Sequence, residues 1–77
     1  MSNTAPPESF AAIINLWPSA EEMAADLGEK GVTVRQWRNR GSIPSDRWLA
    51  VAAAAANRGF SSVTLELLAG LAAKQAA

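Results

Sequence analysis

Three side chains near the middle of the chain have the types and spacing of a recognition surface. Arg35, Gln36 and Asn39 follow one another at steps of one and three, so a helix would place them on one side. Guanidinium and carboxamide groups offer paired hydrogen-bonding atoms in one plane, which suits planar partners with paired donors or acceptors. The chemistry that they offer is directional hydrogen bonding.

The amino-acid composition argues against a catalytic function. The 77-residue chain has no His, Cys or Tyr, which removes the usual general bases, thiol nucleophiles, disulfides and zinc ligands. Glu22 and Asp26 lie four residues apart, but no nucleophile or metal-ligand cluster accompanies them. Residues 28–31 lack the length and pattern of a phosphate-binding loop. We expect no enzymatic activity, no metal, no cofactor and no small-molecule ligand.

Length and hydropathy limit the architecture to one small globular domain. Hydrophobic residues make up 49% of the chain and charged residues 18%, which is typical of a folded protein. The longest apolar run, residues 48–56, is far shorter than the roughly 20 residues that span a bilayer, and the N-terminus lacks the pattern of a signal peptide. We expect a cytoplasmic protein without membrane contact, with residues 1–8 as a disordered leader and residues 9–77 as the domain.

Hydrophobic periodicity predicts five short helices and no strand, hence an all-α bundle. Pro18 ends the first helix, Ser19 and Gly28 bound the second, Gly41 ends the third, and Thr64 caps the fifth. The predicted helices cover residues 9–17, 19–28, 32–40, 44 or 45 to 58, and 65–76. The stripes predicted to face the core contain Phe10, Ile13, Ile14, Trp17, Met23, Ala24, Leu27, Val34, Trp37 and, in a connector, Ile43.

Residues 19–40 have the layout of a helix-turn-helix motif. Two short helices are separated by a turn of three or four residues that begins with Gly28. Ala24 is small enough to let the helices cross closely, and Val34 and Trp37 supply the apolar side chains that close a small core. In this motif the second helix enters the major groove of DNA.

These positions resemble the lambda-repressor/Cro-like helix-turn-helix family. The chain also resembles small phage-derived or bacterial Cro-like domains, sometimes called carph-isopro domains, which contain a W-x-x-R-x-x-I-P-x-x-x-W stretch. The resemblance lies in residues 37–44 (WRNRGSIP) with Arg47 and Trp48, and in residues 63–68. The resemblance covers roughly residues 10–71. It implies a DNA-binding transcriptional regulator with a compact helical fold.

Two features depart from the family pattern. The turn at residues 29–31 lacks the Ser or Thr that commonly caps the second helix of the motif, which leaves Thr33 to supply a hydroxyl one turn later. Glu21 and Glu22 stand near where a polar residue often contacts phosphate. Because carboxylates repel phosphates, we expect both to point away from DNA.

Helical position assigns roles to the polar side chains. Val34 and Trp37 face inward, so Arg35, Gln36 and Asn39 face outward and are predicted to contact base edges; Arg suits guanine and Gln suits adenine. Flanking side chains are predicted to contact phosphates, which positions the protein without specifying a sequence. The predicted phosphate contacts are Lys30, Thr33, Arg38, Arg40, Ser42 and Arg47.

A net charge of zero conceals a strong asymmetry. Residues 1–29 hold five acidic and no basic residues, whereas residues 30–47 hold five basic residues and one acidic residue. The predicted recognition helix therefore lies at the centre of a basic segment. Such a segment can neutralise phosphates and release counterions, so we expect affinity to fall steeply with salt.

Two other structural assignments and two other functions stay open. The last helix, 64–76 with its cap, is predicted to mediate homodimerisation through Leu65, Leu68 and Leu71. The alternative places all three leucines in the core of their own chain. Trp17, Trp37 and Trp48 are predicted to be core residues rather than platforms for single-stranded bases. Besides a DNA-binding regulator, in the first instance a repressor, the chain could be a protein-interaction module such as an antitoxin or adaptor, or an architectural DNA binder without sequence preference.

Overall fold

The computed structural model describes residues 7–76, so most of the predicted leader lies outside the described residues. Within this range the chain forms five α-helices and no strand, which confirms the all-α class. The helices are α1 (Phe10–Ile14), α2 (Ala20–Leu27), α3 (Gly31–Arg40), α4 (Trp48–Asn57) and α5 (Leu65–Ala76), with a 3-10 turn (Ser45–Arg47) before α4. None of these helices has the length and apolar character needed to cross a bilayer.

Local capping sets the ends of α2 as the sequence predicts. The Ser19 hydroxyl accepts a hydrogen bond from the Glu22 N–H at 3.1 Å, which satisfies one of the free donors at the helix start. Gly28 ends the helix in the left-handed region at φ 72°, where a side chain would be strained. The Glu29 N–H then donates to the Ala24 carbonyl at 2.8 Å and closes the turn.

Other helix ends differ from the predicted bounds. α1 ends at Ile14 rather than residue 17, because the N–H groups of Leu16 and Trp17 donate to carbonyls three residues back and tighten the chain before Pro18. α3 starts one residue earlier than predicted, and Lys30 at its N-cap makes no capping bond with its side chain. Thr64 caps α5, as expected, by accepting from the Leu67 N–H at 3.1 Å.

The core is built from the predicted stripes. These side chains are 5% exposed or less and meet in one cluster: Phe10, Ile13, Ile14, Trp17, Met23, Ala24, Val34, Trp37 and Ile43. Leu27 and Trp48 are partly buried against it, and the Trp48 ring N–H donates to the Ile43 carbonyl at 2.9 Å. The burial of Trp17 and Trp37, and the packing of Trp48 against this cluster, favour core packing over base stacking. Leu49 of α4 lies outside this core cluster and is 71% exposed.

A polar cluster joins α2, through Glu22 in its first turn and Asp26 in its last, to Arg58 at the C-cap of α4. The Asp26 carboxylate accepts from the Trp17 ring N–H at 2.9 Å and from Arg58 Nε at 2.5 Å. Arg58 Nη2 also reaches Glu22 Oε1 at 3.2 Å. Hydrogen bonds from Arg58, and secondly from Trp17, lower the pKa of Asp26 below its ordinary value. The two acidic residues that stand four apart in α2 therefore serve to hold the helices together.

Acidification is expected to destabilise the fold through Asp26. The pKa of this carboxyl is lower in the folded chain than the value of about 3.9 in an unfolded one, so its stabilising effect is present above that value and is lost as the pH falls through the folded pKa. In Asp26→Asn this part of the pH dependence disappears, while the amide oxygen can still accept from Trp17. Denaturant unfolding at neutral pH and over an acidic series measures the effect.

Asp46→Asn is the matched control for this experiment. Asp46 is exposed and forms no salt bridge with any residue in the range 7–76, so its replacement should leave the acid sensitivity that Asp26 confers. An Asp26→Asn protein that loses stability with acid in parallel with the wild type would contradict the role of this cluster.

Candidate nucleic-acid interface

The α2–turn–α3 segment has the packing that a helix-turn-helix motif requires. The two helices pack directly on each other across the turn formed by Gly28, Glu29 and Lys30. Ala24 is 2% exposed, Val34 0% and Trp37 5%, so the inward positions predicted from the sequence are filled as expected. The packing fixes which side of α3 faces outward.

Four residues at helical spacing form the outer face of α3: Val32, Arg35, Gln36 and Asn39. Gln36 and Asn39 are exposed, and the Arg35 side chain is 42% exposed. The three predicted base-contacting residues therefore lie on one accessible surface. Val32, 48% exposed, was not among the predicted contacts, although its position three and four residues before Arg35 and Gln36 could have indicated it.

The predicted phosphate-contacting residues lie in α3 or in the segments that flank it in sequence, and all are at least partly exposed. They are Lys30, Thr33, Arg38, Arg40, Ser42 and Arg47. Arg38 and Arg40 lie in the last turn of α3, where positive charge also suits the negative end of the helix dipole. The Gln75 carboxamide of α5 donates to the Gly41 carbonyl, which links the end of the chain to the end of α3.

The acidic residues are not separated from the basic ones as the linear charge pattern predicts. Arg35 Nη1 forms a salt bridge with Glu21 Oε2. Arg47 Nε lies 3.0 Å from Glu29 Oε2. The expectation that Glu21 points away from the DNA-binding side is wrong, because its carboxylate is paired with a predicted base-contacting residue.

These pairs reduce the basic surface to three residues. Lys30, Arg38 and Arg40 form no salt bridge with any residue between 7 and 76, whereas the charges of Arg35 and Arg47 are each met by a carboxylate. The cations of this region that lack a carboxylate partner therefore lie at the two ends of α3. The pairs join residues 14 and 18 positions apart, so no local sequence pattern could reveal them.

Of the three α5 leucines predicted to form the dimer surface, Leu68 and Leu71 are buried and only Leu65 is exposed. Leu68 is 0% exposed and Leu71 6%, because both pack into the core of their own chain, so the prediction is wrong for these two. Leu65 is 46% exposed. It borders an open apolar groove between α4 and α5 together with Ala52, Ala56, Phe60 and Val63. Leu49 extends the same side of α4, three and seven residues before the two alanines.

No protein-family model, curated protein or solved structure matches this chain. The proposal of a function therefore rests on the geometry and the charges of α2, α3 and their surroundings.

Proposed function

We propose that this protein binds double-stranded DNA with sequence specificity and regulates transcription, with α3 as the helix that enters the major groove. The observation that carries the proposal is the outer face of α3. Its side chains project from a helix that is anchored by Val34 and Trp37 and that follows a tight turn. An α-helix fits the major groove, where each base pair presents a distinct pattern of donors, acceptors and methyl groups.

Each residue of this face has a suitable partner among the base edges. Arg35 can donate two hydrogen bonds to guanine O6 and N7, and Gln36 or Asn39 can bind adenine N6 and N7 in the same paired manner. Val32 offers an apolar contact for a thymine methyl group. Each good paired contact discriminates against a wrong base by about 1–3 kcal/mol.

The flanking cations supply affinity without sequence preference. Lys30 precedes α3, and Arg38 and Arg40 occupy its last turn, so positive charge brackets the face that would meet the bases. Contacts from such residues to phosphates fix the register of a helix in the groove. A protein of this kind represses transcription by occupying a promoter.

The test is selection from a random library of DNA duplexes, followed by footprinting of the best site. We expect one enriched motif, bound roughly 10³-fold or more tightly than a scrambled duplex. Salt-sensitive binding with no enriched motif would support the architectural alternative. Absence of any DNA binding would favour a protein-interaction module that uses the groove between α4 and α5.

We further propose that two copies associate through this groove. Leu49 and Leu65 are the prominent apolar side chains of a surface whose floor is lined by small alanines, and Glu66 is the one charged residue among the groove-lining residues that the structure describes. A two-fold interface between identical chains needs a self-complementary surface, on which the protruding side chains of one copy fit the hollows of the other. A dimer would also let the protein read two half-sites.

Leu49→Glu is expected to convert a dimer into a monomer without unfolding the chain. Leu49 is 71% exposed, so a charge there costs little within the fold but is unfavourable in an apolar interface. Light scattering measures the mass, and circular dichroism confirms the helical content. Leu16→Glu is the control, since it adds the same charge at another exposed leucine. A monomeric wild type at high concentration, free and on DNA, would overturn the dimer.

A further inference from the structure

We propose that Glu21 is a specificity-determining residue, which restrains Arg35 from phosphates and releases it to the edge of a base. The inference rests on the proposed DNA binding and adds a function for Glu21. It begins from the salt bridge between Arg35 Nη1 and Glu21 Oε2, which joins the first turn of α2 to the outer face of α3.

The pair is held against the start of α3 by close packing. A Cβ atom added to Gly31 would lie 3.1 Å from Glu21 Cγ, 3.3 Å from Glu21 Oε2 and 3.4 Å from Arg35 Nη1. The absence of a side chain at Gly31 thus leaves room for both charged groups over the first residue of α3. The Glu21 carboxylate also lies near the positive end of the α3 dipole, which favours a negative charge.

The pair is exposed enough to be exchanged. The side chain of Arg35 is 42% exposed and that of Glu21 is 60% exposed, so water screens their attraction. A weak pair can open when a better partner is offered. A guanine offers Arg35 two neutral acceptors in the geometry of its guanidinium group, whereas a phosphate in the same place brings a second negative charge toward the Glu21 carboxylate.

Glu21 therefore weakens binding to a random DNA sequence more than it weakens binding to a site with guanine at the correct position. On a random sequence, the phosphates near the start of α3 meet a carboxylate, and Arg35 gains little by leaving it. On a site with guanine at the correct position, the paired hydrogen bonds compensate for the lost salt bridge. Specificity can arise from such a repulsive element as well as from attractive contacts.

Glu22 provides a matched control next to Glu21. It carries the same charge on the same turn of α2, but its carboxylate binds Arg58 Nη2 at 3.2 Å, on the side of α4. Glu21→Gln and Glu22→Gln change the net charge equally and keep the size of the side chain. A general effect of charge on DNA binding would appear in both variants.

The experiment measures the dissociation constants of the wild type and both variants for a selected duplex and a scrambled one. Glu21→Gln is expected to raise affinity for the scrambled duplex roughly 5- to 10-fold and for the selected duplex no more than about 2-fold. Glu22→Gln should change both affinities by the same factor. Equal factors for Glu21→Gln would overturn the inference.

A second pair of variants shows whether Glu21 acts through Arg35. In an Arg35→Ala background, Glu21→Gln should leave the ratio of the two affinities unchanged, because the side chain that it restrains is absent. If Glu21→Gln still lowered the ratio of selected to scrambled affinity in this background, the inference would be overturned while the proposed DNA binding would stand. If the wild type bound no selected duplex, the proposed function and the inference would both fail, so the two failures are distinguishable.

Discussion

Replacing Arg38 and Arg40 together with alanine is expected to lower affinity for every DNA duplex by roughly two orders of magnitude at low salt. These two residues occupy the last turn of α3 and form no salt bridge with any residue in the described range 7–76. Their charges are therefore available to phosphates. The paired Arg35 and Arg47 would first have to give up a carboxylate.

The salt dependence gives the sharper measurement. Each phosphate contact contributes about 0.9 to the slope of the logarithm of affinity against the logarithm of salt concentration, so losing two should reduce the slope by about 1.8. Selected and scrambled duplexes should lose affinity by similar factors, because phosphates carry no sequence information. Fluorescence anisotropy titrations over a series of salt concentrations provide both quantities.

Lys74→Ala is the control for a change in net charge alone. Lys74 is an exposed cation of α5 that lines a groove with Glu8 and Leu71 and does not project from α3, and its removal can be compared directly with that of Arg40→Ala. We expect the slope to decrease for Arg40→Ala and to stay near the wild-type value for Lys74→Ala. An unchanged slope in the double variant would contradict the assignment of α3 as the DNA-contacting helix.

The order and identity of the helices were predictable because local rules decide them. Ser19 and Gly28 bound α2 through contacts that span three to five residues, and Thr64 caps α5 in the same way. The inward stripes followed from helical periodicity alone. Before Pro18 two local rules compete, because the apolar spacing continues the helix to Trp17 whereas a proline disfavours helical backbone in the residue before it. The predicted end of α1 was therefore three residues too late.

The electrostatics of the interface were not predictable, because they depend on which helices meet. Glu21 pairs with Arg35, and Glu29 with Arg47, only after α2 and α3 have packed and the chain has returned through the 3-10 turn. The linear charge pattern therefore overestimated the basic surface. For the same reason the apolar pattern of α5 could not show that Leu68 and Leu71 face their own core while Leu65 does not.

Trp37→Ala is expected to remove a large part of the stability of the fold. Trp37 is 5% exposed and belongs to the core cluster that anchors α3 to the rest of the chain. Truncation of a buried tryptophan costs about 3–5 kcal/mol. A chain of this length has a total free energy of unfolding of roughly 4–12 kcal/mol. Thermal unfolding followed by circular dichroism should show a loss of the cooperative transition or a much lower midpoint.

Trp37→Leu separates packing from a direct role in DNA binding. Leucine keeps an apolar side chain in the core and should cost only about 1–3 kcal/mol, but it has no ring to stack on a base. We expect this variant, at a temperature where it is fully folded, to bind the selected duplex with wild-type affinity. A weaker affinity in the folded variant would mean either that leucine does not hold α3 in the same position or that the ring contacts DNA. Unchanged affinity would exclude a contact between the ring and DNA and leave Trp37 the structural role of holding α3 so that Arg35, Gln36 and Asn39 face outward.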